Sequence, residues 1–431
     1  MIYSVDCTHA LETVSKILYQ KRIGSDLHCH FEGILHFTDL LDVAESISDK
    51  KLFSKSTWKS IEEAMSNDEK TLAAFFSKLT AGWIRLICIT AYLKYNIPIK
   101  ISLRAFIEKA LSKMYVQGIA SLELMISVFT LSSDGDFNII PIPPSTVDEI
   151  QTYITQWNNR VEKVQAPNIN ELIDIFKEVI ESNHLYRLAT EKQKIPRRMT
   201  VGLKYMIRRE KDLGFRNRSI SLKKRVEQIE DLFNRHLIVG VDVAGNEYDP
   251  GGCVSNYREF LELLSQRNIP FTVHAGEIAP DSLARDISYE NLRSSIYYGA
   301  KRIGHAVRLF DNSEKKIQLL QYLVIKGVFI ELNMSSNIWT GAVASSNMYE
   351  HPIIKALNGK HPLFKKHPKL LEKLRKLVIV CDDDPVVVAN GIPSIHQELA
   401  IFSTCTNNLG LGSVEKLLEQ QQLISLQAKL W

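Results

Sequence analysis

Histidines and carboxylates stand at the ends of short apolar stretches of this chain. His28 and His30 lie in Asp26-Leu27-His28-Cys29-His30-Phe31-Glu32-Gly33. His274 ends the run Ile269-Pro270-Phe271-Thr272-Val273, and Glu277 lies three residues beyond it in His274-Ala275-Gly276-Glu277. His305 follows Arg302-Ile303-Gly304, and Asp382-Asp383-Asp384-Pro385 follows the apolar stretch 377–381. Three histidines and a carboxylate converging on one point form an N/O donor set of the kind Zn2+ takes. A single zinc in such a cage lowers the pKa of a bound water toward ~7, which makes hydroxide available at neutral pH. A neighbouring histidine and a carboxylate can hold and deprotonate that water. A separate acid must protonate the group under attack. Glu277 suits this role, because three residues past a strand-end histidine it sits beside a substrate rather than on the metal.

These residues need elements that bring them together. Two positions apart on a strand, His28 and His30 point to one face. Further short apolar strands are expected at 119–127, 199–207, 237–244, 269–274, 300–304, 328–332 and 377–381. Helical patterns occupy 38–115, 146–166, 170–192, 218–236, 254–267, 286–298, 313–326, 366–376 and 394–429. Eight short strands alternating with helices predict an α/β fold, a (β/α)8 TIM-type barrel with its site at the carboxyl ends of the strands. The expected organisation is one domain over 1–431, with a leading helix in 1–24 and a helical insertion at 128–198 between the second and third strands.

Composition narrows the function classes. Of 431 residues, 45% are hydrophobic, enough for a large core, and the formal net charge is only +4. That balance gives no electrostatic footprint for nucleic acid. The clusters Arg197-Arg198, Arg208-Arg209 and Lys223-Lys224-Arg225 read as solvated faces. The six cysteines are scattered without a CxxC pair. No run approaches the roughly 18 apolar residues of a membrane span, and no apolar signal core opens the chain. The expectation is a soluble cytoplasmic protein with free thiols and no membrane partner.

Taken together, His28-Cys29-His30-Phe31-Glu32-Gly33, Val241-Asp242-Val243-Ala244-Gly245-Asn246-Glu247, His274-Ala275-Gly276-Glu277, Arg302-Ile303-Gly304-His305 and Asp383-Asp384-Pro385 resemble the adenosine deaminase family of metal-dependent hydrolases. The motifs run in the family's order from residue 26 to 385. The resemblance implies one Zn2+ held by His28, His30, His274 and Asp383. It implies that Glu277 gives a proton to N1 of a purine and that His305 orients the attacking hydroxide. Asp384 would hydrogen-bond N7, the backbone N–H of Gly245 would reach N3, and Glu32 would meet the ribose. The implied reaction is hydrolytic deamination of adenosine or 2′-deoxyadenosine at C6.

The departures from the family pattern bear on substrate. Glu32 stands where the family usually has Asp, and a carboxylate at the sugar end repels a 5′-phosphate. Lys204, Arg208 and Arg209, after the third strand, could offset that charge. Asp382 stands where Thr or Ser is usual, and is expected to point outward rather than join the metal. Aromatic and apolar residues in 52–83 match the hydrophobic gate that the family builds over its pocket. Two other readings stay open. One is a deaminase of another 6-aminopurine, such as N6-methyl-AMP or adenine. The other is a weakly active nucleoside-binding or interaction module using 128–198.

Overall fold

A computed structural model of the chain describes residues 5–31, 33–35, 39, 43, 99–126, 169–189, 198–213, 221–245, 247, 252–277, 282–311, 313–340, 342–343, 347–384 and 394–431. Its strands, in chain order, are β1 (Gly24–His30), β2 (Ile119–Ile126), β3 (Tyr186–Leu188), β4 (Met199–Arg208), β5 (Gly240–Ala244), β6 (Phe271–Ala275), β7 (Arg302–His305), β8 (Phe329–Leu332) and β9 (Val378–Val380). Eight of them line up as β1-β2-β4-β5-β6-β7-β8-β9, and every pairing is parallel. A residue bridge between Cys29 and Asp383 joins the two ends of that row. There Asp383 N–H donates to the His28 carbonyl at 2.9 Å, and His30 N–H donates to the Asp383 carbonyl at 3.1 Å. The result is the expected (β/α)8 barrel.

The strand residues explain the arrangement. In β5, β6 and β9 every residue is buried, as parallel strands covered on both faces require. Helices pack outside, each turning an apolar stripe inward. In helix Leu222–Asn234 the stripe is Leu222, Val226, Ile229 and Leu232. Ser221, Ser313 and Ser413 cap the starts of three such helices with their hydroxyl oxygens. The leading helix runs over Thr8–Lys21 and packs on the C-terminal helices. His396 fixes that packing, contacting the Ser15 hydroxyl at 2.9 Å and donating to the Gln117 carbonyl at 2.8 Å.

One expectation needs correction. The helical pattern of 170–192 breaks: the helix ends at Glu181, and Tyr186–Leu188 forms β3, paired with the first residues of β4. Asn183 makes the turn, taking the Leu185 amide on its side chain at 3.0 Å. The rest of the 128–198 stretch, apart from 169–189 and Arg198, lies outside the described residues, as do Glu32 and the aromatic residues of 52–83. Cys7, Cys29, Cys253, Cys381 and Cys405 are free thiols. Among the described residues no helix is long and apolar enough to cross a membrane.

The floor of the barrel is ionic. Lys204, Glu123, Arg302 and Glu331, from four strands, are all fully buried inside it. Arg302 pairs with Glu331 at 2.5 Å and with Glu123, and donates to the Leu27 and Ala428 carbonyls. Lys204 donates to the Leu27 carbonyl at 2.8 Å. The C-terminal segment closes this end, with Leu430 N–H donating to Glu123 at 3.1 Å.

Candidate metal centre and active site

Above that floor, the ends of β1, β6 and β7 and the residues after β9 meet. His28, His274, His305 and Asp383 each offer a ligand atom within 4.8 Å of the others, and all four are buried. His30 joins them: its Nε2 lies 3.1 Å from His274 Nε2 and 3.3 Å from Asp383 Oδ1. His28 Nε2 lies 3.1 Å from the same Asp383 oxygen. The four expected ligands, His28, His30, His274 and Asp383, therefore share one small volume with His305 beside it. Imidazole nitrogens and a carboxylate oxygen, buried and converging, fit a metal site.

Backbone conformation places several of these groups. His305 (φ 63°) and Asp383 (φ 76°) both lie in the left-handed region, rare for residues with a side chain and characteristic of functional sites. Close approach also demands glycine. A methyl group on Gly304 would sit 2.8 Å from Cε1 of His28, and one on Gly33 would overlap the Asp384 carboxylate.

Each histidine is oriented by a second residue. Glu331 accepts from His28 Nδ1 at 2.6 Å, and the other oxygen of Glu331 is held by Arg302. Asp242 lies 2.8 Å from His274 Nδ1 and is itself held by the Thr272 hydroxyl. Ser336 donates to Asp383 Oδ2 at 2.6 Å. Such partners leave Nε2 free for a metal and fix the ring plane. The electrostatics follow. Burial alone would lower His28, but Glu331 and Asp383 push it up to about 10. Burial and the neighbouring His28 and His30 bring His274 down to about 3, despite Asp242. Burial also raises Asp242, but His274 more than offsets this and leaves the carboxyl below its ordinary range. Asp242→Asn should weaken metal binding about 10–100-fold, because an amide can turn its N–H toward Nδ1 and spoil the tautomer. Competition with a chromophoric chelator measures this, and unchanged affinity would remove Asp242 from the site.

Glu277 stands apart from the ligands. Its Oε2 is 3.9 Å from His305 Nε2, and its side chain is 24% exposed, the most open of the group. Glu247 anchors this turn, accepting the amides of Gly276 and Glu277 at 3.2 and 3.1 Å. Gly245, at φ 96°, follows the end of β5. Asp384 is buried near His30 and Asp383. Met125, Met206 and Ala244 form an apolar cluster separate from the main core, on three adjacent strand ends. Each lies two residues beyond an interior-facing residue, Glu123, Lys204 or Asp242, and so points to the same face and walls the mouth of the barrel.

The sequence reasoning assigned no role to Glu331, Asp242, Ser336, Asn337 or Glu247. A signal existed for two of them, since Glu331 in Phe329-Ile330-Glu331-Leu332 and Asp242 in Val241-Asp242-Val243 are charges within wholly buried strands. Lys204, Arg208 and Arg209, the expected offset to Glu32, are each engaged within the described fold. Lys204 is midway along β4 inside the barrel, Arg209 is fully buried against the Val243, Ala244 and His274 carbonyls, and Arg208 lies beside Asp212. Asp382 does not point to solvent: it is 1% exposed, with its amide on Asp26.

Glu398 supports the site from the C-terminal side. Its carboxylate accepts the amides of Met334 and Ser335 at 2.8 and 3.0 Å, just before Ser336 reaches Asp383. Burial pushes its carboxyl up to about 8 from 4.5, against those two amides and with Asp383 adding to the rise. A folded pKa above the unfolded one means its stabilising contribution is full below about pH 4.5 and is lost as pH rises through about 8. Denaturation midpoints between pH 5 and 8 should therefore fall less in Glu398→Gln than in the native protein. Equal slopes would show that Glu398 does not carry the effect.

Residues 202–363 match the family model described as adenosine deaminase. The chain is 27% identical over 227 residues to an adenosine deaminase of Enterococcus faecalis, covering 48% of this chain and 63% of that protein. The chain thus spans less than two thirds of that relative's length. Solved structures share the fold. An N6-methyl-AMP deaminase of Arabidopsis thaliana gives a TM-score of 0.57 at 16% identity, with 94% of this chain and 91% of that one covered. An amidohydrolase of Burkholderia ambifaria with bound Zn gives 0.59 at 14% identity, covering 99% and 90%. With its motifs in family order, its barrel and its buried donor cluster, the chain is similar to the adenosine deaminases, whose family model it matches over residues 202–363.

Proposed function

We propose that the protein is a cytoplasmic enzyme whose single barrel domain removes the 6-amino group of adenosine or 2′-deoxyadenosine by hydrolysis, using one Zn2+. The observation that carries this reading is the buried cluster of His28, His274, His305 and Asp383, joined by His30, with Glu277 close by but outside it. His28, His30, His274 and Asp383 would hold the metal, which when bound supplies the Lewis acidity that makes water nucleophilic at neutral pH.

The chain's own residues do the rest. The apolar wall of Met125, Met206 and Ala244 offers a face for the purine ring. Gly245 N–H donates to N3 and Asp384 hydrogen-bonds N7, which sets C6 toward the cluster. An aromatic amidine carbon is a poor electrophile until its ring nitrogen is protonated. Glu277 delivers that proton at N1. His305 orients the oxygen that attacks C6. Water and adenosine become inosine and ammonia.

The same machinery serves N6-methyl-AMP or adenine if the sugar end differs. The burial of Lys204 and Arg209 against backbone carbonyls supports a nucleoside, since neither side chain is open to a phosphate. The test is the ultraviolet absorbance change on adenosine, AMP, N6-methyl-AMP and adenine, with zinc and with a chelator. Turnover of adenosine, lost on chelation and restored by Zn2+, is expected. No turnover of any 6-aminopurine by metal-loaded protein would leave only a binding module, and activity on AMP but not adenosine would overturn the nucleoside assignment.

A further inference from the structure

Asn337 stands between two buried histidines. Its side-chain Oδ1 lies 2.9 Å from Nδ1 of His305, and its Nδ2 lies 3.1 Å from Nε2 of His351. Asn337 and His351 are fully shielded from solvent, and His305 is 1% exposed. His351 has a second commitment. It caps helix Pro352–Leu357, and its Nδ1 accepts the backbone N–H of Ile353 at 3.3 Å. Burial, with Arg308 nearby, lowers its pKa to about 3, so the ring is neutral at physiological pH.

A neutral imidazole has one N–H and one lone pair. Because Ile353 uses the lone pair on Nδ1, the proton of His351 is on Nε2 and faces Asn337. The placement recorded, with the Asn337 amide nitrogen toward His351, sets two donors against each other in a fully shielded site. Exchanging the two ends of the amide, whose oxygen and nitrogen have the same shape, resolves the clash by turning the Asn337 oxygen to His351 and its nitrogen to His305. Nδ1 of His305 must then accept.

We propose that His351 and Asn337 are positioning residues that fix His305 as the tautomer with its proton on Nε2, so that His305 presents a donor to the reacting centre. Nε2 of His305 is 3.9 Å from both Glu277 Oε2 and Asp383 Oδ2, so the proton is aimed at these carboxylates and at any oxygen held between them. In this form His305 holds and stabilises an attacking oxygen by donation; Nε2 has no lone pair with which to take its proton. The catalytic meaning rests on the deamination proposed above, whereas the tautomer itself does not depend on it.

The test uses zinc-loaded protein labelled with 15N in histidine, with the His305 signals assigned by comparison with His305→Gln. Long-range 1H–15N correlation spectra should show a protonated Nε2 and an unprotonated Nδ1 for His305. His351→Gln, whose amide can still donate to Asn337, should keep that pattern. His351→Phe should give mixed tautomers and a kcat about tenfold lower at nearly unchanged KM. A protonated Nδ1 on His305 in the unaltered protein overturns the proposal, whatever the variants do. So does an unchanged His305 spectrum in folded His351→Phe. If the spectra agree but no 6-aminopurine is turned over, the proposed reaction fails and the tautomer assignment stands.

Discussion

Glu277→Gln should lower kcat on adenosine by about 10³-fold while leaving the bound metal at one per chain. That factor corresponds to about 4 kcal/mol of transition-state stabilisation. The substitution keeps the shape of the side chain and the backbone N–H that Glu247 holds, so the turn after β6 should stay in place. What it removes is an acidic proton near the ring nitrogen. Metal content and kcat, measured on the same preparation, separate the possible roles. Loss of metal would make Glu277 a ligand. Full activity would mean that another group protonates the purine.

The second large effect concerns stability. Arg302→Met should destabilise the fold by about 3–5 kcal/mol, because it leaves two fully buried glutamates short of a counter-charge. Lys204 is 3.7 Å from Glu123 and 4.0 Å from Glu331, too far from either to replace the short contacts of Arg302. The four groups carry two positive and two negative charges, so the balance matters more than any single bond. Removing a negative charge as well, in Arg302→Met with Glu123→Gln, should recover part of the loss. Denaturant midpoints of the single and double variants measure this. A single-variant loss under about 1 kcal/mol would show that the network is close to neutral for stability. Arg302 also bears on the metal through Glu331 and His28, so the single variant should bind metal more weakly at temperatures where it remains folded.

Much of the architecture was legible in the chain because parallel barrel strands are short, apolar and separated by amphipathic helices. The stretch 199–207 became Met199–Arg208, and 328–332 became Phe329–Leu332. Glycine punctuation at Gly299 and Gly327, both with positive φ, marks where helices turn back into strands. β3 was not legible. Tyr186-Arg187-Leu188 is too short to show alternation, and it follows directly on a strongly amphipathic helix. The strand-end histidines and aspartates announced the metal cluster because ligand chemistry restricts residue type. Their orienting partners were hidden by distance along the chain. Glu331 is 303 residues from His28, and no local pattern says which buried charge faces which imidazole. Lys204 and Arg209 show the same limit, since a basic residue near a strand end reads alike whether it points to solvent or into the barrel.

The seam between β1 and the residues after β9 has a consequence for biogenesis. His28 and Asp383 lie 355 residues apart, yet they share one oxygen-to-nitrogen contact and one backbone hydrogen bond across the closure, and His30 adds a second backbone bond to Asp383. A nascent chain that has emerged only through β8 carries all the histidines of the cluster but has neither the closing carboxylate nor the staves that complete the cylinder. Tight metal capture is thus postponed until the last strand arrives, and the ion would act as a clasp on a hoop that is otherwise joined by few bonds. Chelation should loosen the molecule first at this seam, with amide exchange rising at His30 and Asp383 before it rises along β5 and β6.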